Sequence, residues 1–178
     1  YGNSKIPTPE NTALKPTSFY AASKAACESL ISSYCFSCGI RAWIFRLANV
    51  CGAGLRHGPI FDFVKKLKEA PEKLEILGDG RQSRCYIYIG ECINAVMLGL
   101  GMNDAVNILN IGSPDSITIK KVAEIVIGEM MGKTGKSPKI EFTGESWAGD
   151  VQHVQPDITK LESLGFKPKY NSEQAVRK

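Results

Sequence analysis

Residues 41–50, which read RAWIFRLANV, are the stretch that decides the fold. Aromatic and β-branched side chains favour an extended chain, and apolar residues fall on both of its faces over much of its length. A parallel sheet between two layers of helices buries both faces of its strands, so its strands carry this pattern. The sequence therefore predicts a buried parallel strand, closed by a turn over residues 51–54.

The residues before this strand predict a helix from Ser18 to about Phe36. The sequence SFYAASKAACESLISSYCF is rich in alanine and carries apolar residues on overlapping turns. Thr17 or Ser18 can cap the helix, and Gly39 is a stop signal. Residues 1–17 contain one glycine and three prolines and are predicted to be a loop.

After the strand, shorter helices and strands alternate along the chain. Predicted helices cover 60–69, 91–100, 118–131 and 157–164, and predicted strands cover 74–77, 85–89, 106–111 and 140–143. This alternation is typical of the α/β class.

Composition excludes several classes of function. With 178 residues, 43% hydrophobic, the chain can bury one ordinary core or two small ones, and its net charge of +4 is mild and scattered. We expect no nucleic-acid partner, since no aromatic residues are interleaved with the basic ones. No apolar run approaches the ~20 residues of a membrane span. The six cysteines have irregular spacings, so we expect reduced thiols in a cytoplasmic protein and no metal site.

Tyr20 and Lys24 are the first candidates for chemistry. A spacing of four on a helix puts both side chains on one face. A nearby ammonium favours the phenolate and lowers the pKa of a tyrosine, which makes Tyr20 a usable general base. The spacing alone is weak evidence, because Tyr1 and Lys5 share it within the loop segment. The alternative is a surface tyrosine beside a solvated lysine.

An ordered set of motifs surrounds this pair. In order, the motifs are PTSFYAASK at 16–24, RLANVCG at 46–52, RHGPIFDF at 56–63, LGDGRQSR at 77–84, NIGS at 110–113, GDV at 149–151 and LGFKP at 164–168. Together they closely resemble the extended short-chain dehydrogenase/reductases that act on nucleotide sugars. The string at 56–63 is most similar to that of 4-epimerases acting on UDP-hexoses.

The resemblance implies a fold and a division of the chain. It implies the C-terminal part of a Rossmann-type doubly wound fold plus a smaller α/β substrate-binding domain. Residues 1–55 would be a remnant of the NAD-binding domain. Residues 56–178 would be mainly the substrate-binding domain, with 106–112 returning to the Rossmann sheet.

The resemblance also implies site residues and partners. Tyr20 would be the catalytic acid/base, and Lys24 would bind the nicotinamide ribose of NAD and tune Tyr20. Asn49, at the carboxyl end of a strand, would contact the sugar nucleotide, and Arg84 would pair with its diphosphate. The alternatives are a strand-end cap for Asn49 and a surface ion pair for Arg84. The family's two-fold helical interface implies a homodimer.

Several features depart from that family's pattern. Cys85 follows Arg84 where the family usually has aspartate, and position 148 is alanine where many members have a second phosphate-binding basic residue. Arg56 could replace that basic residue. The family's glycine-rich pyrophosphate-binding turn is not in the sequence, nor is the Ser/Thr expected shortly before Tyr1.

The opening on Tyr-Gly, without an initiator methionine, suggests a piece of a longer protein. We expect such a piece to be inactive alone and to expose the 41–50 strand edge and the Tyr20 helix face. Within the same family, a nucleotide-sugar 4,6-dehydratase or decarboxylase remains an alternative to a UDP-glucose 4-epimerase. A non-catalytic sugar-nucleotide-binding or dimerisation module is the alternative from another class.

Overall fold

The computed structural model describes residues 1–132, 137–145 and 149–178. Within these ranges helices and strands alternate, as expected for an α/β protein. The helices are α1 (Phe19–Cys38), α2 (Pro59–Glu69), α3 (Ile89–Gly99), α4 (Ile119–Met131), α5 (Thr159–Ser163) and α6 (Ser172–Val176). The strands are β1 (Ala42–Leu47), β2 (Asn49–Cys51), β3 (Lys73–Ile76), β4 (Ser83–Arg84), β5 (Tyr86–Tyr88), β6 (Val106–Ile111), β7 (Ile117–Thr118), β8 (Lys139–Phe142) and β9 (His153–Val154).

Helix α1 begins and ends where its sequence signals predict. The Ser18 hydroxyl accepts a hydrogen bond from the Ala21 backbone N–H at 3.1 Å and so caps the first turn. Gly39 ends the helix in the left-handed conformation (φ 65°), which glycine adopts without the steric cost of a Cβ. The prediction of a helix here is confirmed, with the last turn extended to Cys38.

The predicted single strand over 41–50 is wrong in extent, because the structure divides it into β1 and β2. Strand β1 pairs in parallel with β6, whereas β2 pairs in parallel with β5. Ala48 lies between them, and its N–H donates to the Ile111 carbonyl at 2.7 Å. The chain therefore passes from one partner strand to another within a single apolar run.

The predicted strand over 85–89 corresponds to β5, which is shorter, and β4 lies just before it. Strand β4 pairs with β7 in antiparallel and with β9 in parallel orientation, and β3 pairs in parallel with β8. The last predicted helix begins at Thr159 instead of residue 157. The Asp157 carboxylate still accepts the Thr159 N–H, at 2.8 Å.

Two clusters of buried side chains form the core. The first lies where α2 and α4 pack together over β3, around Leu67, Leu74 and Val122. The second lies between β6 and helices α3 and α5, around Leu109 and Leu161. All five side chains are at most 1% exposed.

Helix α1 and strand β1 contribute little to either cluster. Cys35 is the single buried residue of α1, and Phe19 and Phe36 are 97% and 93% exposed. Only Ile44 is buried in β1, so the prediction of burial on both faces of this strand is wrong for this chain. The Tyr20 face of α1 is exposed, as expected, whereas most side chains of β1 are partly buried.

The segment around Thr8, which we call the N-terminal strap, pairs with residues 155–157. The Thr8 N–H donates to the Gln155 carbonyl, and the Thr8 carbonyl accepts the Asp157 N–H, both at 2.9 Å. The buried Asn110 amide also donates to the Thr8 carbonyl at 2.9 Å. Strand β6 thus holds residues near both ends of the chain. Across the described ranges, we find no helix with the length and apolar character that crossing a bilayer requires.

Candidate active site

Tyr20 and Lys24 lie on one face of α1, as their spacing predicts. The Lys24 Nζ atom is 5.6 Å from the centre of the Tyr20 ring, and Tyr20 is 72% exposed. The other tyrosine–lysine pair is not helical: Tyr1 lies in a loop, where its hydroxyl donates to Asn110 and accepts from Arg46. Of these two pairs with the same sequence spacing, the pair on α1 therefore has the helical arrangement that lets an ammonium act on a phenol.

Tyr20 faces a cavity of about 660 Å³, which we call the Tyr20 cavity. Its walls include Asn49, Tyr86 and the loop over residues 52–58, which carries Arg56 and follows β2. Arg56 is exposed. The cavity therefore combines an exposed phenol, an amide and a guanidinium around one space.

Arg84 faces a second cavity of about 640 Å³, which we call the Arg84 cavity. The Arg84 Nη2 atom donates to the Asp150 carboxylate at 2.5 Å, and Nη1 donates to the Ser83 carbonyl at 2.8 Å. The side chains of this ion pair are only 17% and 9% exposed. Arg84 is therefore held in a defined orientation at the cavity wall, with its charge partly balanced.

The two cavities meet at Asn49 and Pro59, which line both. Asn49 is the first residue of β2 and lies just beyond the carboxyl end of β1. It lies two residues after β1 ends, in the gap where the chain changes partner strand. The change of partner thus puts its exposed side chain at the junction between the cavities.

Lys24 lines a third cavity, of about 250 Å³, with Glu28 and Arg46. Arg46 donates to Glu28 through two nitrogens, at 2.6 and 2.9 Å. Burial opposes the charge of Arg46, but its hydrogen bonds to Glu28 and Tyr1 raise the pKa of Arg46 above its ordinary value. This network fixes α1 and the start of the chain to β1, and the structure does not place Lys24 in the Tyr20 cavity.

Tyr86 is a site residue that the sequence analysis did not identify. It is the register partner of Asn49 across the β2–β5 pair and is 1% exposed. Burial raises the pKa of Tyr86 to about 12, against the opposing effects of the Asn49 amide and the Arg84 charge. The available signal was its position two residues after Arg84, which puts both side chains on the same side of an extended segment.

The remaining sequence candidates contribute less. Position 148, where the family's second basic residue is replaced by alanine, lies outside the described residues. The six cysteines are free of disulfide bonds. In the described part of the chain, no three or more His, Cys, Asp or Glu side chains form a group that could hold a metal ion.

Residues 1–112 match the sequence profile of the NAD dependent epimerase/dehydratase family, and the chain belongs to this family. A putative UDP-glucose 4-epimerase from Methanocaldococcus jannaschii is 29% identical over 97% of this chain and 55% of its own length. A UDP-N-acetyl-alpha-D-glucosaminuronate decarboxylase from Bacillus cytotoxicus is 29% identical over 89% of this chain and 50% of its own length.

Solved structures confirm the Rossmann-type α/β fold. A crystal structure of UDP-galactose 4-epimerase superposes with a TM-score of 0.87 at 34% identity, over 99% of this chain and 57% of that one. The chain thus spans about half the length of the relatives it matches.

The cofactor of the family is NAD, and solved relatives include complexes with it. The described residues fit one part of a dinucleotide. The exposed Lys24 ammonium beside Tyr20 can donate to the vicinal hydroxyls of a ribose. The 178 residues contain no glycine-rich turn of the kind that receives a pyrophosphate at a helix N-terminus. They therefore fit the nicotinamide-ribose end of NAD.

Proposed function

We propose that this chain is the C-terminal portion of an NAD-dependent nucleotide-sugar epimerase that interconverts UDP-glucose and UDP-galactose. The observation that carries the proposal is the pair of adjoining cavities. Tyr20 lines one, Arg84 lines the other, and Asn49 lies between them. A sugar nucleotide has the same order of parts: a hexose to be oxidised, a diphosphate and a nucleoside.

Tyr20 acts on the hexose in this proposal. Its phenolate accepts the proton from the hydroxyl at C4, and the Lys24 ammonium stabilises that phenolate through its positive charge. When bound, NAD supplies a reversible acceptor for the hydride at C4. After the 4-keto sugar has turned over in the Tyr20 cavity, Tyr20 returns its proton to the oxygen on C4.

Arg84 and Asn49 bind the nucleotide in this proposal. The planar guanidinium of Arg84 suits two phosphate oxygens at once, and its hydrogen bonds to Ser83 and Asp150 hold it in place. The Asn49 amide lies where a ligand passes from one cavity to the other and can donate to an oxygen there. The cationic Arg56 borders the Tyr20 cavity, so it can add a second positive charge near the ligand.

Tyr20→Phe, made in the full-length protein that carries this chain, tests the role of Tyr20. We expect epimerisation to fall by about 10³-fold or more, because the proton acceptor is lost, while NAD binding stays nearly unchanged. Tyr34→Phe is the matched control, since Tyr34 is an equally exposed tyrosine (61%) on the same helix. Retained epimerase activity in Tyr20→Phe would remove Tyr20 from this role.

We propose further that residues 1–178 alone do not turn over the sugar. They supply Tyr20 and Lys24 but no pyrophosphate-binding turn. The test is an assay of the isolated chain with UDP-galactose, NAD and chromatographic detection of UDP-glucose. We expect no product, and product formation would refute the statement.

Relatives with other activities favour a second candidate function. One relative is named a decarboxylase and another, from Mus musculus, a dTDP-D-glucose 4,6-dehydratase. Both reaction types share an initial oxidation of the sugar. Mass spectrometry of products from the full-length protein separates the candidates: epimerisation conserves mass, dehydration removes water and decarboxylation removes carbon dioxide. We expect the product to have the same mass as the substrate. We further expect the full-length protein to be a cytoplasmic homodimer whose subunits contact each other through α1.

A further inference from the structure

A buried hydroxyl lies in the wall of the Tyr20 cavity. Tyr86 is 1% exposed, and among the described residues its phenolic oxygen has no hydrogen-bond partner of standard geometry. Native proteins leave few buried donors in this state, since an unsatisfied donor destabilises the fold. A hydroxyl kept at such a cost next to a cavity points to a ligand that satisfies it.

The surroundings of Tyr86 indicate the chemistry of that ligand. Asn49, its register partner, is exposed and lies at the junction of the two cavities, and its amide acts to lower the pKa of the Tyr86 phenol. Arg84 is two residues away, and its positive charge acts on the phenol. A donor hydroxyl, an amide and a guanidinium together suit an anionic oxygen acceptor.

We propose that Tyr86 is a ligand-binding residue whose hydroxyl donates a hydrogen bond to a phosphate oxygen of the diphosphate between the Tyr20 and Arg84 cavities. The proposal rests on the proposed function, because it assumes a sugar nucleotide as the ligand.

The protonation state of Tyr86 suits this role. With a pKa of about 12, the phenol keeps its proton throughout the physiological range. It therefore remains a donor toward an anion and is a poor proton acceptor. Tyr86 and Tyr20 thus have separate tasks, one in binding and one in proton transfer.

Tyr86→Phe in the 178-residue chain tests the proposal by titration calorimetry with UDP and with uridine. We expect affinity for UDP to fall about tenfold, as for loss of a hydrogen bond to a charged group, and affinity for uridine to stay unchanged. Denaturant unfolding should show an equal or higher midpoint, because the variant removes an unsatisfied buried hydroxyl. If the hydroxyl instead had a structural role, its removal would lower that midpoint.

Tyr88→Phe is the matched control. Tyr88 belongs to the same strand, but its ring packs edge-on against Tyr170 with ring centres 5.9 Å apart. We expect its UDP affinity to equal that of the wild type. Equal UDP affinity in Tyr86→Phe, or an equal loss for uridine, would overturn the assignment of Tyr86 alone. A wild-type chain that binds neither UDP nor uridine would overturn the proposed function together with it.

Discussion

Helices α1 and α4 are both rich in apolar residues, yet α4 buries most of its apolar side chains and α1 leaves most of them exposed. The 13-residue α4 buries Ile119, Val122, Ala123, Ile125, Val126 and Met131. The 20-residue α1 buries only Cys35. Apolar composition therefore sets how many side chains a helix could bury. The elements that pack against the helix determine how many it buries in the structure.

The neighbours of the two helices explain the difference. Helix α4 packs against α2 and α6, so its apolar stripe is enclosed by elements of this chain. Helix α1 contacts β1 along one side, and an ion pair from Glu28 to Arg46 joins the two elements. We therefore expect α4 to be stabilised mainly by the hydrophobic effect and α1 to depend on polar contacts.

A matched pair of phenylalanine-to-alanine substitutions gives the strongest test of this comparison. Phe63 of α2 packs in the same cluster as α4 and is 5% exposed, whereas Phe36 of α1 is 93% exposed. We expect Phe63→Ala to lower the free energy of unfolding by about 4 kcal/mol. Phe36→Ala should change it by less than about 0.5 kcal/mol. Urea denaturation measures both, and equal losses would show that α1 is buried in solution.

Cysteine reactivity gives a second comparison of the same regions. Cys27 and Cys38 of α1 are exposed, whereas Cys51 and Cys85 are buried in the core. Burial raises the pKa of Cys51 to about 12 and also raises the pKa of Cys85, so burial disfavours the thiolate form of both. The thiolate is the nucleophile, so we expect iodoacetamide to modify them about 100-fold or more slowly than Cys27 and Cys38.

Peptide mass spectrometry over time follows this reaction, with the unfolded chain in urea as the control. There all six cysteines should react at similar rates. Rapid labelling of Cys51 in the native chain would mean that the core opens more readily than its burial indicates.

The polar attachment of α1 can be tested by Glu28→Gln. The Glu28 and Arg46 side chains are 14–19% exposed and 2.6 Å apart, so the substitution leaves a partly buried guanidinium without its counter-charge. We expect a loss of about 2 kcal/mol in the free energy of unfolding. Glu124→Gln on α4 is the control, because the Lys120–Glu124 pair is exposed and 4.0 Å long, and it should cost less than about 0.5 kcal/mol. Similar effects of the two variants would contradict the proposed dependence of α1 on its ion pair.

The sequence predicts best those elements whose signals are local. Strand β6 has the predicted bounds, and α1 is capped by Ser18 and ended by Gly39 as expected. Strands β4, β7 and β9 contain two residues each and exist only through pairing with distant segments, so no local pattern marks them. Helix α6 does carry a local signal, a capping box between Asn171 and Gln174, but its five residues are too few for a periodic pattern.

The same reasoning applies to the site. Sequence motifs identify Tyr20, Asn49 and Arg84, and the structure places them around two adjoining cavities. The position of Asn49 at the junction depends on the interruption between β1 and β2 at Ala48. The sequence does not show this interruption, because the apolar residues continue through it. Tyr86 has the sequence signature of an ordinary strand residue two positions after Arg84, and its burial without a hydrogen-bond partner of standard geometry becomes visible only in the structure.

The N-terminal strap has a consequence for synthesis on the ribosome. Among the described residues, the Thr8 backbone pairs with the backbone of Gln155 and Asp157, about 150 positions later in translation. At typical elongation rates of ~5–20 residues per second, on the order of ten seconds pass between the synthesis of the strap and that of these partners. During that time its amides are hydrated and open to chaperones and proteases. Proteases should therefore cleave this segment faster in chains that end before residue 155 than in chains that contain residues 155–157.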